Sequence, residues 1–308
     1  MPELPDISVY IEAIQSRVVS HTLVRTIVKS PFLLRSFAPP ITAAAGKLVR
    51  EVRRLGKQIA IGVEGDLWLV LHLMIAGRLH WKTSAPKLGS RNILIAFEFD
   101  NGWLWLTEAG TQRRAALRVV EGEAGLQSLN AGGIEPLDVS LDAFGAALRS
   151  SNHTLKRSLT DPHIFSGIGN AYSDEILHRA RLSPIAMTQK LTDDEVARLY
   201  DASRATLIEW IDRLRAETAG AFPEKVTAFR PEMAVHGRYR QPCPRCGAKV
   251  QRIRYASNET NYCATCQTGG RLLADRALSR LLREDWPRTL EELETLPRRA
   301  ILKSSPEP

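Results

Sequence analysis

Apolar residues recur at helical spacing at the start of the chain and at strand spacing after it. Over Asp6–Ile14 they fall three and four apart, which predicts a helix whose apolar face carries Ile7, Tyr10, Ile11 and Ile14. From about residue 22 to 120, apolar positions alternate, as in Ile59-x-Ile61-x-Val63, Leu67-x-Leu69-x-Leu71 and Ile93-x-Ile95-x-Phe97-x-Phe99. Short alternating strands joined by turns such as Asp100-Asn101-Gly102 predict an antiparallel β-sandwich or barrel.

After the linker-like stretch that begins at Gly132-Gly133, the spacing becomes helical again. Ser140 is predicted to begin a helix that runs to about Arg149, and residues 154–159 form a second short one. A capping box at residues 192–195 opens a long helix with one apolar face, made of Val196, Leu199, Ser203, Leu207, Trp210, Ile211 and Leu214. Residues 216–230 lose this period and are predicted to form a mobile loop.

Two further stretches are open to more than one interpretation. Gly167-Ile168-Gly169-Asn170 precedes a helical pattern, so it either offers backbone N–H groups to a phosphate or simply joins two helices. Beyond residue 270, a predicted helix carries Leu272, Leu273, Ala277, Leu278, Leu281 and Leu282, and Thr289 is predicted to cap another. A packing pair of helices is favoured there over a partner-binding site.

Charge narrows the class of partner. The chain of 308 residues has a formal net charge of +8 and a pI near 9.5, which favours a polyanion such as nucleic acid. No run of about 20 apolar residues is present, so a membrane span is not expected. The start has neither the basic nor the apolar segment of a signal peptide, which predicts a cytosolic protein.

The cysteines form a metal-binding pattern. Cys243 and Cys246 make one Cys-x-x-Cys pair, and Cys263 and Cys266 make a second. Four thiolates at this spacing predict one tetrahedral zinc ion, and no open position remains for water, so the zinc is structural. A hairpin is predicted between the pairs, and its Arg252 and Arg254 are candidate DNA contacts.

The first residues offer a nucleophile. If Met1 is removed, Pro2 presents a secondary amine next to Glu3. An α-amine titrates at about 7.7–8.0, so part of it is unprotonated near neutral pH and can form an imine with a sugar aldehyde. Glu3 can then move a proton. Taken alone, the same residues also fit a rigid start before a helix.

Several cationic or titratable side chains interrupt the strand region. Lys57 opens a strand, His72 interrupts an apolar one, and Arg113 precedes another. Each is consistent with a solvated structural residue, but together they fit contacts to phosphates.

In this order, the motifs resemble the formamidopyrimidine-DNA glycosylase and endonuclease VIII family of base-excision repair enzymes. The matching pieces are Pro2-Glu3-Leu4-Pro5, Gly56-Lys57, His72-Leu73 with Gly77, Arg113-Arg114, Glu135-Pro136-Leu137, Gly167-Ile168-Gly169-Asn170 and the four cysteines ending in Gln267. The resemblance implies an α+β fold: a catalytic β-sandwich at 1–135, a helix–two-turn–helix domain at 136–235, a zinc finger at 236–270 and a helical extension at 271–308.

The resemblance also implies an activity on damaged double-stranded DNA. Pro2 would be the nucleophile, Glu3 the acid–base partner and Lys57 a lysine near the site. Asn170, His72 and Arg113 would hold the DNA backbone around a flipped nucleotide, because a stacked base is out of reach. A monomeric enzyme is expected, with glycosylase and β,δ-elimination lyase steps.

The sequence departs from the family pattern at five positions, all of them relevant to DNA contact or lesion choice. They are Asp6 for Glu, Ile75 for an intercalating Met, Ala115 for a wedge Phe, His236 for Tyr and Asn258 for a phosphate-binding Arg. An abasic-site lyase or a catalytically weakened DNA-binding protein is therefore the alternative. A tautomerase-like enzyme with an N-terminal proline is a third hypothesis, but it would not require the zinc finger.

Overall fold

A computed structural model describes residues 1–110, 112–224, 226, 230–255, 258–274 and 287–295. The chain divides into two compact units. The first combines Met1–Glu135 with Leu207–Ala228, and the second combines Pro136–Thr206 with Phe229–Pro308. Within the described ranges, no helix is both long and apolar enough to cross a membrane.

The first unit is an antiparallel sheet with one long helix at its start. Helix α1 spans Leu4–Val18. The strands are β1 (Thr22–Val28), β2 (Lys47–Leu55), β3 (Gln58–Val63), β4 (Leu67–His72), β5 (Gly77–Lys82), β6 (Ile93–Phe99), β7 (Gly102–Glu108) and β8 (Ala116–Glu121). Their order in the sheet is β5-β7-β6-β1-β2-β3-β4-β8, and a short helix α2 (Gly122–Gln127) follows.

The predicted helix and strands of this unit are confirmed, and their apolar faces meet in one core. Ile7, Tyr10 and Ile14 of α1 are fully buried among inward-facing strand residues, including Ile61 and Phe97. Burying side chains of this size stabilises a fold by about 1.5–3 kcal/mol each. The core therefore fixes α1, and with it the start of the chain.

The second unit contains helices and a hairpin. Its helices are α3 (Leu141–Arg149), α4 (Leu155–Thr160), α5 (Asn170–Ala180) and the start of α6 (Asp193–Thr218). The hairpin strands are β9 (Gln251–Tyr255) and β10 (Asn258–Tyr262), followed by α7 (Ala264–Thr268) and α8 (Leu290–Thr295). The predicted α+β fold class is thus confirmed.

The predicted helix starts agree with the structure. The Ser140 hydroxyl accepts a hydrogen bond from the Ala143 N–H, as an N-cap does. Thr192 and Glu195 bond each other's backbone N–H groups, which is the predicted capping box. All seven residues of the predicted apolar face of α6 are buried.

The loop predicted over residues 216–230 begins later than expected, because α6 continues to Thr218. The end of α6 and the following residues belong to the first unit, whereas the predicted boundaries place them in the helical domain at 136–235. Arg215 binds the Glu12 carboxylate of α1, and the ring of Phe222 lies 5.8 Å from that of Tyr10. These contacts explain why this segment groups with α1.

The helix predicted from Leu272 onward is wrong at its start. The Leu272 N–H donates to the Arg288 carbonyl, and the Leu273 N–H donates to the Tyr262 hydroxyl. Residues 272–274 have no helical assignment, and both leucines pack against the hairpin residue Ile253. The remaining positions of that predicted helix, from Ala277 to Leu282, lie outside the described residues.

The second predicted helix of the tail is present as α8. The Thr289 hydroxyl accepts from the Glu292 N–H, so Thr289 is its cap. Leu290 and Leu293 pack against the hairpin cluster.

Candidate active site and nucleic-acid interface

The chain start is held as the cap of α1. Pro2, Glu3 and Asp6 are all buried, with Glu3 3% and Asp6 1% exposed. The Glu3 N–H donates to Asp6 Oδ2 at 3.0 Å, and the two residues form a capping box. A chain terminus normally frays, so this cap supplies the fixed position that a catalytic amine needs.

The surroundings of the terminal amine favour its neutral form. Burial lowers the pKa of the Met1 amine from its usual value of 8.0, and Arg78 and Lys57 lower it further, while Glu3 and Asp6 act in the opposite direction. A neutral amine is the nucleophilic form. Removal of Met1 would place the Pro2 amine beside the same charged groups.

Lys57 lies in the tight turn between β2 and β3. Leu55 pairs with Gln58 across this turn, and Gly56 adopts a φ of 61°, a left-handed conformation that suits glycine. The Arg54 guanidinium braces the turn by donating to the Gly56 carbonyl and by pairing with the Glu135 carboxylate. Glu135 of the Glu-Pro-Leu motif therefore supports the turn that carries Lys57.

His72 ends β4 directly across from Gln58, so it lies one residue from Lys57 in the pairing. Its Nδ1 accepts from the Met74 N–H at 3.1 Å, which leaves the proton of the neutral ring on Nε2. Burial lowers the pKa of His72, and the positive charges of Lys57 and Arg118 lower it further. The neutral His72 ring is thus suited to donate a hydrogen bond from Nε2 to a phosphate oxygen.

The turn after His72 depends on Gly77. The Gly77 N–H donates to the Leu73 carbonyl at 2.9 Å, and a Cβ at Gly77 would lie only 2.2 Å from that oxygen. Met74 in this turn has a φ of 53°, which aims its N–H at His72. The side chain of Ile75, at the tip of the turn, is 63% exposed.

Arg113 lies on a segment that a buried carboxylate holds in place. Glu108 is 1% exposed and accepts from the backbone N–H groups of Arg114, at 3.0 and 3.1 Å, and of Ala115, at 3.1 Å. The Arg113 guanidinium donates to the Arg91 carbonyl at 2.7 Å. Ala115 is only 3% exposed, so its methyl group faces the core.

In the second unit, Asn170 is the first residue of α5, after Gly169 as its N-cap. Its side-chain amide donates to the Glu259 carbonyl of β10 at 2.9 Å, so the helix start and the hairpin are joined. Backbone N–H groups at a helix start attract anions. The Gly-x-Gly turn leads directly into α5, and its contact with a phosphate stays a prediction.

Asp174 and Glu175 tie α5 to the segment before the finger. Asp174 is fully buried and binds Lys156 through one oxygen, and His236 Nδ1, at 2.8 Å, and the Asn261 N–H, at 3.1 Å, through the other. Glu175 accepts three backbone N–H groups, from Ala234, Val235 and His236. Burial raises the pKa of Glu175, and these three bonds oppose that rise. His236, where the family has tyrosine, is thus a buried partner of Asp174.

The two candidate arginines of the hairpin share an acidic neighbour. Arg252 Nη1 lies 3.1 Å from Glu259 Oε2. The Arg252 guanidinium carbon also lies 4.1 Å from the centre of the Tyr239 ring. Arg254 Nε lies 3.7 Å from the same oxygen and is 56% exposed. Arg254 is the more accessible of the two for a phosphate.

The four cysteines come together as predicted. Their Sγ atoms all lie within 4.8 Å of one another, with Cys243–Cys266 at 3.9 Å and Cys246–Cys263 at 3.4 Å. Thiolates at the corners of a tetrahedron with bonds of about 2.3 Å lie about 3.8 Å apart, so the set fits zinc. His178 Nε2 lies 3.2 Å from Cys243 Sγ, where it can orient that ligand.

Comparison with known proteins gives three family matches along the chain. The N-terminal domain of formamidopyrimidine-DNA glycosylase matches residues 1–114, the H2TH domain of that enzyme matches 133–219, and the zinc finger found in FPG and IleRS matches 240–269. The matched regions account for the sheet, the helical region and the cysteine cluster in turn.

Individual relatives agree with these matches. Formamidopyrimidine-DNA glycosylase from Heliobacterium modesticaldum is 33% identical over 283 residues, which cover 87% of this chain and 100% of that protein. The crystal structure of the MutM (Fpg) protein from Thermus thermophilus has a TM-score of 0.70 at 29% identity, covering 86% and 98% of the two chains. The chain therefore belongs to the formamidopyrimidine-DNA glycosylase family, and it binds one structural zinc ion.

Sequence reasoning did not find four acidic residues that organise these sites: Glu108, Asp174, Glu175 and Glu259. Asp174 and Glu175 follow the Gly-x-Gly turn and read as ordinary polar positions of a helix. Glu108 ends an apolar strand in the sequence. An acid at such a position was the one available signal for a buried carboxylate.

Proposed function

We propose that this chain is a bifunctional DNA glycosylase and abasic-site lyase of base-excision repair, acting on damaged double-stranded DNA. The observation that carries the proposal is the capped, buried chain start, which holds Pro2 next to Glu3 where burial already lowers the pKa of the Met1 amine. A helix start can be capped in this way without catalysis, so the match of residues 1–114 to the N-terminal domain of formamidopyrimidine-DNA glycosylase is the second support. Together they leave the alternative of a weakened DNA-binding protein without support at the catalytic residues.

In the proposed reaction, the Pro2 amine attacks the sugar carbon that bears the damaged base. The bond between that carbon and the base breaks, and the base leaves with a proton. Glu3 gives a proton to the ring oxygen of the sugar as the ring opens, and the amine, having lost its own proton, forms a double bond to the sugar carbon, which gives a cationic imine (iminium). Loss of a proton next to the imine then breaks the 3′ carbon–oxygen bond, and a second elimination breaks the 5′ bond. Lys57 lies near enough to the chain start to lower the pKa of the Met1 amine.

The remaining predicted residues are proposed to hold the DNA backbone. His72 would donate from Nε2, Arg113 and Arg254 would contribute charge, and Asn170 would present the start of α5 to a phosphate. Arg252 is proposed as a weaker contact, because Glu259 and Tyr239 already engage it. We further propose a monomeric cytosolic enzyme.

The solved complex of the LlFpg protein with THF-containing DNA and an inhibitor supports the choice of substrate. This chain is 25% identical to it, with a TM-score of 0.76, and covers 100% of that protein. DNA that carries one abasic site is therefore the substrate to test first.

Borohydride trapping on such a duplex tests the proposal, because borohydride reduces the imine and links protein to DNA. We expect a covalent adduct from protein whose Met1 has been removed, as verified by mass spectrometry. Two residues added ahead of Pro2 would convert its amine into an amide and should abolish the adduct. An adduct of equal yield from that extended chain would refute the role of Pro2, provided both proteins bind the duplex equally.

A further inference from the structure

Two phenylalanines of the first unit are strongly exposed. Phe32 is 85% and Phe37 is 92% exposed, and both lie on the segment between β1 and β2. Isolated exposed apolar residues are common on protein surfaces, so exposure alone assigns them no function. Their positions relative to the catalytic residues distinguish them.

The segment that carries both rings runs parallel to β8. Leu34 bridges Leu117, the Arg35 N–H donates to the Leu117 carbonyl, and the Ser36 hydroxyl accepts from the Val119 N–H. The short 3₁₀ helix Pro31–Leu33 also contacts β8. Phe32 therefore lies toward the beginning of β8, and Phe37 lies toward its end.

The beginning of β8 is the end of the sheet that carries the candidate catalytic residues. Ala116, the first residue of β8, pairs with His72, and His72 pairs with Gln58, which follows Lys57. Ile75, the other strongly exposed apolar residue of this region, is in the turn directly after β4. Phe32 and Ile75 are thus at the catalytic end, whereas Phe37 is at the far end.

Phe32 is also held on a rigid support. The next residue, Leu33, is 2% exposed and belongs to the core. The Ser30 N–H donates to the Leu94 carbonyl at 3.0 Å, and the Leu34 N–H closes the turn onto the Pro31 carbonyl at 3.1 Å. A side chain on a fixed backbone loses little entropy when it inserts into a partner.

A nucleotide that leaves the duplex creates a gap, and proteins stabilise such gaps with apolar wedges. Ala115 cannot serve, because its methyl group is small and only 3% exposed. Lys29 and Arg35, which flank Phe32 in the sequence, are exposed cations whose charge complements that of a DNA backbone.

We propose that Phe32, at the same end of the sheet as Ile75, stacks into the space left by the flipped nucleotide and so takes over the wedge function that Ala115 lacks. The inference rests on the proposed function, since it requires a nucleotide to be extruded from DNA. It makes Phe32 a positioning residue: it contacts neighbouring bases and takes no part in bond breaking.

Equilibrium binding tests the inference without relying on Pro2 chemistry. The probe is a duplex with one tetrahydrofuran abasic-site analogue, which cannot form an imine, and 2-aminopurine on the strand opposite the analogue reports stacking. We expect Phe32→Ala to weaken this binding about 5- to 100-fold, as expected for loss of one aromatic–base stack, and to abolish the change in 2-aminopurine fluorescence. Phe32→Trp should retain both signals.

Phe37→Ala is the matched control, since it removes an equally exposed ring from the same segment. It should bind the probe as the wild type does, and all variants should bind undamaged duplex with similar affinity. Wild-type affinity and fluorescence in Phe32→Ala would overturn the inference, as would an equal loss in Phe37→Ala. Failure of the proposed function is distinguishable, because it would abolish borohydride trapping on a natural abasic site whatever the binding of these variants.

Discussion

The two oxygens of the buried Glu108 carboxylate share the backbone N–H of Arg114, at 3.0 and 3.1 Å, and thereby fix the segment that carries Arg113. A third bond, from the Ala115 N–H, uses the same carboxylate. The Glu108 side chain thus accepts the hydrogen bonds that a neighbouring strand would otherwise accept from residues 114 and 115.

Replacing Glu108 with alanine should weaken DNA binding more than catalysis. The substitution leaves buried N–H groups unsatisfied, at a cost of about 1–3 kcal/mol each, and frees the Arg113 segment to move. We expect a lower melting temperature and a raised Kd for abasic DNA, with near-normal trapping at saturating DNA because Pro2 and Glu3 are untouched. Glu98→Gln, which alters a surface pair with Arg25, is the control. An unchanged Kd in Glu108→Ala would contradict this role.

The cation Arg78 should set the pH at which the terminal amine becomes reactive. Arg78 lowers the pKa of the Met1 amine, and we expect the same direction for the Pro2 amine that replaces it, so Arg78→Gln removes a charge that disfavours the protonated form. The pKa of the amine should then rise, and the increase in imine formation with pH should occur at higher pH than in the wild type. Single-turnover trapping between about pH 5 and 9 measures this increase of imine formation with pH. Arg25→Gln is the control and should leave the pH of this increase unchanged.

His72 should act as a neutral donor. Its lowered pKa means that the folded chain binds fewer protons than the unfolded chain just below pH 6.5, so this group stabilises the fold less as pH falls through that range. Near pH 7 the ring is neutral, and His72→Gln keeps a donor without charge. We expect His72→Gln to bind DNA within a few-fold of wild type at pH 7, and His72→Ala to bind about tenfold more weakly, as when a hydrogen bond to a charged group is lost. Equal losses in both variants would refute this assignment.

The sequence predicts what is local and periodic, and it misses what long-range contacts decide. The caps at Ser140 and Thr192 and the apolar face of α6 were predictable because their partners lie within one or two helical turns. The cysteine cluster was predictable because metal chemistry fixes its spacing. Asp174 binds His236 and Asn261, which are 62 and 87 residues away, and no local pattern encodes such pairs. The helix predicted to begin at Leu272 was wrong for the same reason, since the backbone N–H of Leu272 donates to the carbonyl of Arg288.

Chelation of zinc should abolish DNA binding by the second unit while the first unit keeps its fold. Apparent zinc-binding energies of about 10–16 kcal/mol in finger peptides are large compared with the stability of a short hairpin. Cys246→Ser should lower zinc content and raise the Kd for duplex DNA. Far-UV circular dichroism should retain the signal of the sheet. Full DNA affinity in zinc-free protein would show that the finger is dispensable for binding.

Glu259 should restrain the arginines of the hairpin. Its carboxylate pairs with Arg252 and lies 3.7 Å from Arg254, so it competes with phosphate for both. Glu259→Gln removes one negative charge near the DNA but keeps an oxygen for the Asn261 amide, which donates to Glu259 Oε1 at 3.0 Å. We expect binding to undamaged duplex to tighten a few-fold, and the dependence of log Kd on log salt to steepen by up to about one, since an additional phosphate contact would release its counterion.

Glu209→Gln is the matched control for Glu259→Gln, because Glu209 pairs with Arg213 on the surface of α6 and is not part of the proposed interface. Both variants lose one unit of negative charge, so a purely global charge effect would change binding equally in the two proteins. A gain confined to Glu259→Gln would place the hairpin arginines at the phosphates, because only there does the lost carboxylate compete directly. If Glu259→Gln instead binds more weakly, the carboxylate orients Arg252 and Arg254 for DNA and does not restrain them.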